Sequence, residues 1–196
     1  MSNSTIGTVR FAYPKVFKPF ANRLKNDELE YEVTILIPKE ATEQCPDPKK
    51  VGAALTAVIK SAWAEKFGEK KGWRNPLMDG DTELNGDDEP KFPGYWFARA
   101  SCKGEYPPVV VDGTRTPVTS GWGGGDWGNV LVNAWAYDKG ANKGVSLGLR
   151  GVQFLYKGES FGDGGSASAN DFPVVDNADT SRPKDDAPFD PFEDEE

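Results

Sequence analysis

The sequence predicts a mainly β fold: a small closed or partly open barrel of five to six strands, one helix of about 20 residues and a disordered acidic C-terminal tail. Three observations predict it. Several short stretches alternate apolar and polar residues, a single stretch carries helix start and stop signals, and beyond residue 162 periodicity ceases. A two-sheet sandwich is the main competing architecture.

The first stretch, "STIGTVRFAYPKVFKP", sets Val9, Phe11 and Tyr13 on one face against Thr8, Arg10 and Ala12 on the other. That is a strand, and Pro14 is expected to close it. "LEYEVTILIPK" alternates likewise through Tyr31, Val33, Ile35 and Ile37 and stops at Pro38, with the charged turn "NRLKNDE" between the two. "PDPKKVGAALTAVIKSAWAEKFG" predicts the helix: Asp47 suits the N-cap, Pro48 the first helical position and Gly68 the C-terminal cap. Val51, Ala54, Leu55, Val58 and Ala62 form its apolar stripe, edged by Trp63 and Phe67 as packing residues. A glycine- and acid-rich loop follows to Pro93. Then "YWFARASC", "PVVVDG", "NVLVNAWAYD" and "KGVSLGLRGVQFLY" supply four more strands. Phe11, Tyr31, Phe97 and Phe154 are expected in the core.

The last segment, rich in Ser, Asp and Pro, cannot bury enough apolar surface to offset its ordering entropy. Two units are therefore expected, a folded domain over 1–162 and a tail over 163–196. The tail holds 11 acids against Arg182 and Lys184, leaving 20 acids and 21 Lys or Arg in the rest of a chain whose net charge is −8. The acidity belongs to the tail, so the near-neutral body can still carry a basic groove.

Composition narrows the chemistry. The chain has no histidine, which removes the commonest general base, Ser-His and Cys-His nucleophiles and most catalytic zinc sites. Cys45 and Cys102 form neither a disulfide framework nor a metal cluster and read as reduced thiols. No apolar run approaches the roughly 18 residues of a membrane span, and the N-terminus lacks a secretion signal, so a cytosolic protein is expected.

Two loops invite a site. From Asp81, the residues Asp81, Glu83, Asn85 and Gly86 match the early positions of a calcium loop, but Phe92 stands where its bidentate glutamate is needed. No metal and no cofactor are predicted. "GWGGGDWG" is glycine-rich enough to cradle phosphate but lacks the Gly-Lys-Ser/Thr ending and a following helix. Its Trp122 and Trp127 must pack back on the body or meet a partner.

The informative pattern is the pairing of rings with cations, in a chain with 12% aromatic residues. "RFAYPKVFK" offers Tyr13, Lys15 and Lys18; "KKGWRN" offers Trp73 and Arg74; "KFPGYWFAR" offers Trp96 and Arg99. "NAWAYDKGANKG" adds Trp135, Tyr137, Lys139 and Lys143. Single-stranded nucleic acid calls for this mixture, rings to stack unpaired bases and cations to follow the phosphates.

The tail ends "DDAPFDPFEDEE", with Phe189 and Phe192 set among Asp185, Asp186, Asp190, Glu193, Asp194, Glu195 and Glu196. Carboxylates imitate phosphates and phenyl rings imitate bases. Such a tail is expected to occupy a cationic, ring-lined groove weakly, yield to DNA, and then present its phenylalanines to basic pockets on partner proteins.

"GTVRFAYPKVFKP", "YEVTILIPK", "NPLMDGD" and "VNAWAYDKGANKGVSLGLRGVQFLYKGESFGDG", followed by an acidic tail, resemble a family of phage-encoded single-stranded DNA-binding proteins. The resemblance covers residues 6–164 and is most specific at "GANKGVSLGLRGVQ". It implies an OB fold, sequence-independent binding of single-stranded DNA during replication or recombination, and a tail that contacts phage or host replication and recombination proteins. The expected setting is the cytoplasm of the infected bacterial host, without membrane association, and a homo-oligomer is compatible with it. The glycine-rich "GWGGGDWG" departs from the family pattern. Two alternatives remain at this point: a magnesium- or manganese-dependent nuclease built on the acids of Asp79–Glu89, or a non-catalytic virion or interaction domain. The latter predicts aromatic clustering on a face without Lys or Arg.

Overall fold

A computed structural model describes residues 3–69, 72–140 and 142–161. The expected disordered tail and its phenylalanines lie outside the described residues. The elements run β1 (Ser4–Asn22), a 3₁₀ turn (Arg23–Lys25), β2 (Glu28–Pro38), α1 (Pro48–Phe67), β3 (Met78–Asp79), β4 (Tyr95–Lys103), β5 (Val109–Val111), β6 (Trp127–Lys139) and β7 (Asn142–Tyr156). Five strands close into a barrel in the order β1-β2-β4-β7-β6 and back to β1. All of these contacts are antiparallel except β4 with β7, which pair parallel through Ala100–Leu147 and Ser101–Gly148. Closure removes the exposed edges that an open sheet must protect. The short β3 and β5 extend β4 and β7 outside the ring.

The alternation predicted from sequence builds this core. Val9, Phe11, Val33, Ile35, Ile37, Ala98, Ala100, Val130 and Val132 point inward and are almost fully buried. Phe11 meets Phe154 edge to face at 5.3 Å, and Phe17 stacks on the same ring. One expectation fails: β1 does not end at Pro14 but continues to Asn22. Its pairing with β2 breaks between Ala12 and Lys15 and again between Lys15 and Phe20. Tyr13 adopts φ +48°, and such a bulge accommodates a proline that cannot donate to the ladder.

The helix has its expected caps. Asp47 Oδ1 accepts from the Lys50 amide at 3.0 Å, and Gly68, at φ +62°, donates to the Ala64 carbonyl. Its buried face differs by one position from the predicted stripe. Ile59 is buried with Leu55 and Trp63, while Ala54 is exposed. The methyl group of an alanine leaves little to gain from burial, whereas each large side chain contributes about 2 kcal/mol.

Arg10 fixes the end of the domain to β1. Its guanidinium donates to Gly125 O at 3.1 Å, Tyr95 Oη at 3.0 Å and Glu159 O at 2.7 Å, and it lies 4.1 Å from the Phe161 ring centre. The "GWGGGDWG" loop packs back on the body. Trp122 stacks on Phe154 at 4.9 Å, and buried Asp126 accepts from the amides of Gly123 and Gly158 and from Lys157. Both tryptophans are therefore accounted for by packing, Trp127 being buried near Arg10.

Candidate nucleic-acid interface

Strands that point one set of side chains into a barrel must point the other set out. On β2 the outward set is Glu30, Glu32, Thr34 and Leu36; on β4 it is Phe97, Arg99 and Ser101; on β6 it includes Trp135 and Tyr137. These surfaces, with parts of β7, enclose a groove of about 570 Å³. Its walls bring Tyr13, Trp135 and Tyr137 together with Lys25, Arg74, Lys91 and Arg99. The barrel's second and third strands are β2 and β4, and Lys25 comes from the turn joining the first two. That face and that loop are where OB folds take oligonucleotides.

Each group is held by something local. Trp135 stands between inward Ala134 and Ala136 and remains 37% exposed. Tyr13 is thrown outward by the bulge, 62% exposed, its ring 6.3 Å from Phe92. Arg74 is anchored by its backbone, whose amide donates to Lys143 O at 2.8 Å while its carbonyl accepts from Val145 N at 3.3 Å. Phe92 and Phe97 pack at 5.0 Å beside the groove. Phe97 is thus buried as expected, but on the outward face of β4 under the 80–93 loop rather than inside the barrel.

The groove carries acids as well as bases. Glu32 accepts from Arg99 Nε, an ion pair in which the arginine side chain is 53% exposed and the glutamate 10%. Glu30, beneath the turn, accepts from Lys25 Nζ and from Asn22 Nδ2. Burial raises the Glu30 pKa, but the bonds from Lys25 and Asn22 outweigh it and hold the carboxyl below its ordinary value. Lining residues nevertheless number four cations against one carboxylate, Glu32.

The other sequence-predicted residues lie elsewhere. Trp73 stacks on Trp63 of the helix at 5.0 Å and 15°. Trp96, 41% exposed, borders a separate hollow of about 370 Å³ with Ile37, Pro48 and Leu77, and Lys39 sits 4.8 Å from its ring. Lys15 lies over the Phe20 ring at 3.8 Å; Lys18 and Lys139 are exposed on β1 and β6. Lys143 pairs with Asp138 at 3.2 Å. Tyr13, Arg74, Arg99, Trp135 and Tyr137 are brought into one place. Sequence reasoning missed Lys25, Lys91 and Glu32. The polar alternation of β2 carried the signal for Glu32; nothing local marked Lys25, which sits in a turn read only as a connection.

The acid loop is organised by a lysine and by its own amides. Lys39 pairs with both Asp79 and Asp81 at 2.5 Å, which lowers the pKa of each carboxyl. Asp81 also accepts from Gly94 N, and Asn85 Oδ1 accepts from the amides of Asp87 and Glu89. Among the described residues no group of three or more His, Cys, Asp or Glu is placed to hold a metal, and no helix is long and apolar enough to cross a membrane.

Comparison with known proteins agrees with the fold. The single-stranded DNA-binding protein from bacteriophage Enc34, solved in complex with ssDNA, superposes with a TM-score of 0.61 at 23% identity, covering 82% of this chain and 89% of that one. Gp2.5, a single-stranded DNA-binding protein encoded by bacteriophage T7, gives a TM-score of 0.52 at 20% identity over 83% and 96% of the two chains. At that identity both speak to fold alone. Protein p50 of Acyrthosiphon pisum secondary endosymbiont phage 1 is 34% identical over 178 residues, 85% of this chain and 90% of that protein. The profile of the family described as "Enterobacter phage Enc34, ssDNA-binding protein" matches residues 3–183. An OB-like barrel with a ring- and cation-lined groove therefore has its place: the chain belongs to the Enc34-type single-stranded DNA-binding protein family.

Proposed function

We propose that the protein binds single-stranded DNA without regard to sequence, coating and protecting unwound strands during phage replication or recombination in the cytoplasm of the infected host. The observation that carries this reading is the groove that gathers Tyr13, Trp135 and Tyr137 beside Lys25, Arg74, Lys91 and Arg99. Stacking on such rings contributes about 1–3 kcal/mol per base and accepts any base. The cations neutralise phosphates and release counterions, so affinity falls as salt rises. The rings and cations of the groove offer steric and electrostatic fit to a strand, which supports a binding, non-enzymatic role. It also argues against an interaction domain with rings on an uncharged face.

The chain divides functionally into a DNA-binding domain, 1–162, and an acidic tail, 163–196. The tail competes for the groove when DNA is absent and recruits phage or host replication proteins through Phe189 and Phe192. Its 11 acids, set against a near-neutral body, support this division.

The test is affinity for an oligonucleotide of about 30 nucleotides at two salt concentrations, read by tryptophan quenching or anisotropy. Absence of binding at low salt would end the proposal. Removal of residues 164–196 is expected to tighten binding; unchanged affinity rejects tail competition and leaves recruitment standing. Degradation of labelled strands with magnesium or manganese that disappears in Asp81→Ala would install the nuclease instead.

A further inference from the structure

Two glycines of β7 lie under the two groove rings of β6. In the β6–β7 ladder Tyr137 is opposite Gly144, while Asn133 and Trp135 are opposite Gly148 and Ser146. A Cβ built at Gly148 would stand 2.8 Å from Trp135 Cζ3, and one at Gly144 would stand 2.7 Å from Tyr137 Oη and 3.0 Å from its Cζ. Atoms that close to the missing Cβ mean that each ring reaches across the neighbouring strand and covers its glycine. Neither glycine needs its conformational freedom, since the positive-φ glycines are at other positions. What these two positions supply is empty space above the sheet.

A strand side chain ordinarily stands roughly perpendicular to its sheet, hemmed in by its cross-strand neighbours. A tryptophan so held offers a ligand mainly its edge, and base stacking needs the face. Resting on the proposed function, we infer that Gly144 and Gly148 are positioning residues for DNA binding: they let Tyr137 and Trp135 lie low across β7 as a stacking platform for unpaired bases. The glycines touch no DNA themselves. They act through the height and tilt of the rings.

Gly148→Ala is the direct test, made in the full chain and read by anisotropy of a labelled oligothymidine over a range of salt. At Gly144 an added methyl group would also meet the Arg74 carbonyl at 2.8 Å, so Gly148 is the cleaner position. Affinity is expected to fall about tenfold at every salt, a loss of stacking within the usual range per base. The slope of log K against log salt should stay unchanged, because that slope counts phosphate contacts. In a Trp135→Ala background the same substitution should cost nothing further, which a general loss of structure would not reproduce. An added Cβ also comes within 2.1 Å of Asn133 Oδ1; should Gly148→Ala fold poorly, Asn133→Ser/Gly148→Ala relieves that overlap and keeps the ring displaced. Undiminished affinity, an altered slope, or an equal loss without Trp135 overturns the inference. A wild-type chain that binds no DNA sinks the proposed function itself, whereas a binding wild type with unaffected glycine variants sinks this inference alone.

Discussion

Glu32 makes the groove's electrostatics testable by sign. Its carboxylate holds Arg99 Nε in the free protein, so a phosphate arriving at Arg99 must share or open that pair and approach a negative charge. Opening a half-exposed ion pair costs about 0.2–1 kcal/mol. A carboxylate and a phosphate about 7 Å apart in a water-like dielectric repel by about 0.6 kcal/mol. Together these place about 1 kcal/mol, roughly fivefold in Kd, against DNA binding. Glu32→Gln removes the charge and keeps an acceptor for Arg99. The expected result is a Kd about fivefold lower at low salt, with the salt slope steeper by about 0.7 as one more cation becomes available. Oligonucleotide anisotropy over a salt series measures both, and thermal melting verifies that the fold survives. Weaker or unchanged binding would refute the reasoning, because it would mean that the complex needs the Glu32–Arg99 pair intact.

Three further outcomes follow from the same geometry. Trp135→Ala should weaken binding by about 1–3 kcal/mol, one stacked base, while Trp96→Ala, outside the groove, should leave Kd unchanged; equal losses in an anisotropy titration would move the interface. Gly125→Ala should destabilise the domain by about 3 kcal/mol in urea unfolding, since its φ is +98° and a Cβ there would lie 1.8 Å from Glu159 O. Stability should fall with pH below the ordinary carboxylate range: Glu30, Asp79 and Asp81 all have folded pKa values below their ordinary ones, so the stability they lend is complete above that range and disappears as they are protonated. Lys39→Met should flatten part of that acid limb; parallel Tm–pH curves for variant and wild type would exclude Lys39 as the cause.

Much of the fold was legible because it is written in local periods. Alternation through Val33, Ile35 and Ile37, and the Asp47–Pro48 start of the helix, need no knowledge of distant residues. Pro14 misled because a proline stop is a local rule, and the bulge at Tyr13 satisfies it without ending the strand. The groove was legible only as a composition of rings and cations. Which members converge depends on register: Trp135 lies opposite Ser146 and Thr34 opposite Arg99, and a slip of one residue would turn either face inward. Trp73 and Trp135 look alike in sequence, each an indole near a cation. Only the helix that presents Trp63 to the first distinguishes them.

That convergence also fixes how much of the binding charge can supply. Of the four groove cations, Arg99 is already held by Glu32 and Lys25 by Glu30, while Arg74 and Lys91 form no ion pair among the described residues. Four fully available cations would give a salt slope of about −2.8 on single strands, and two would give about −1.4. Pre-pairing brings the wild-type groove toward the shallower value. The affinity that survives at high salt must then come from the rings, at about 1–3 kcal/mol per stacked base. Under the proposed function, such a groove would orient a strand through its charges and retain it through Tyr13, Trp135 and Tyr137. The proposed indifference to sequence has the same origin, since every base offers a face to a stacking ring.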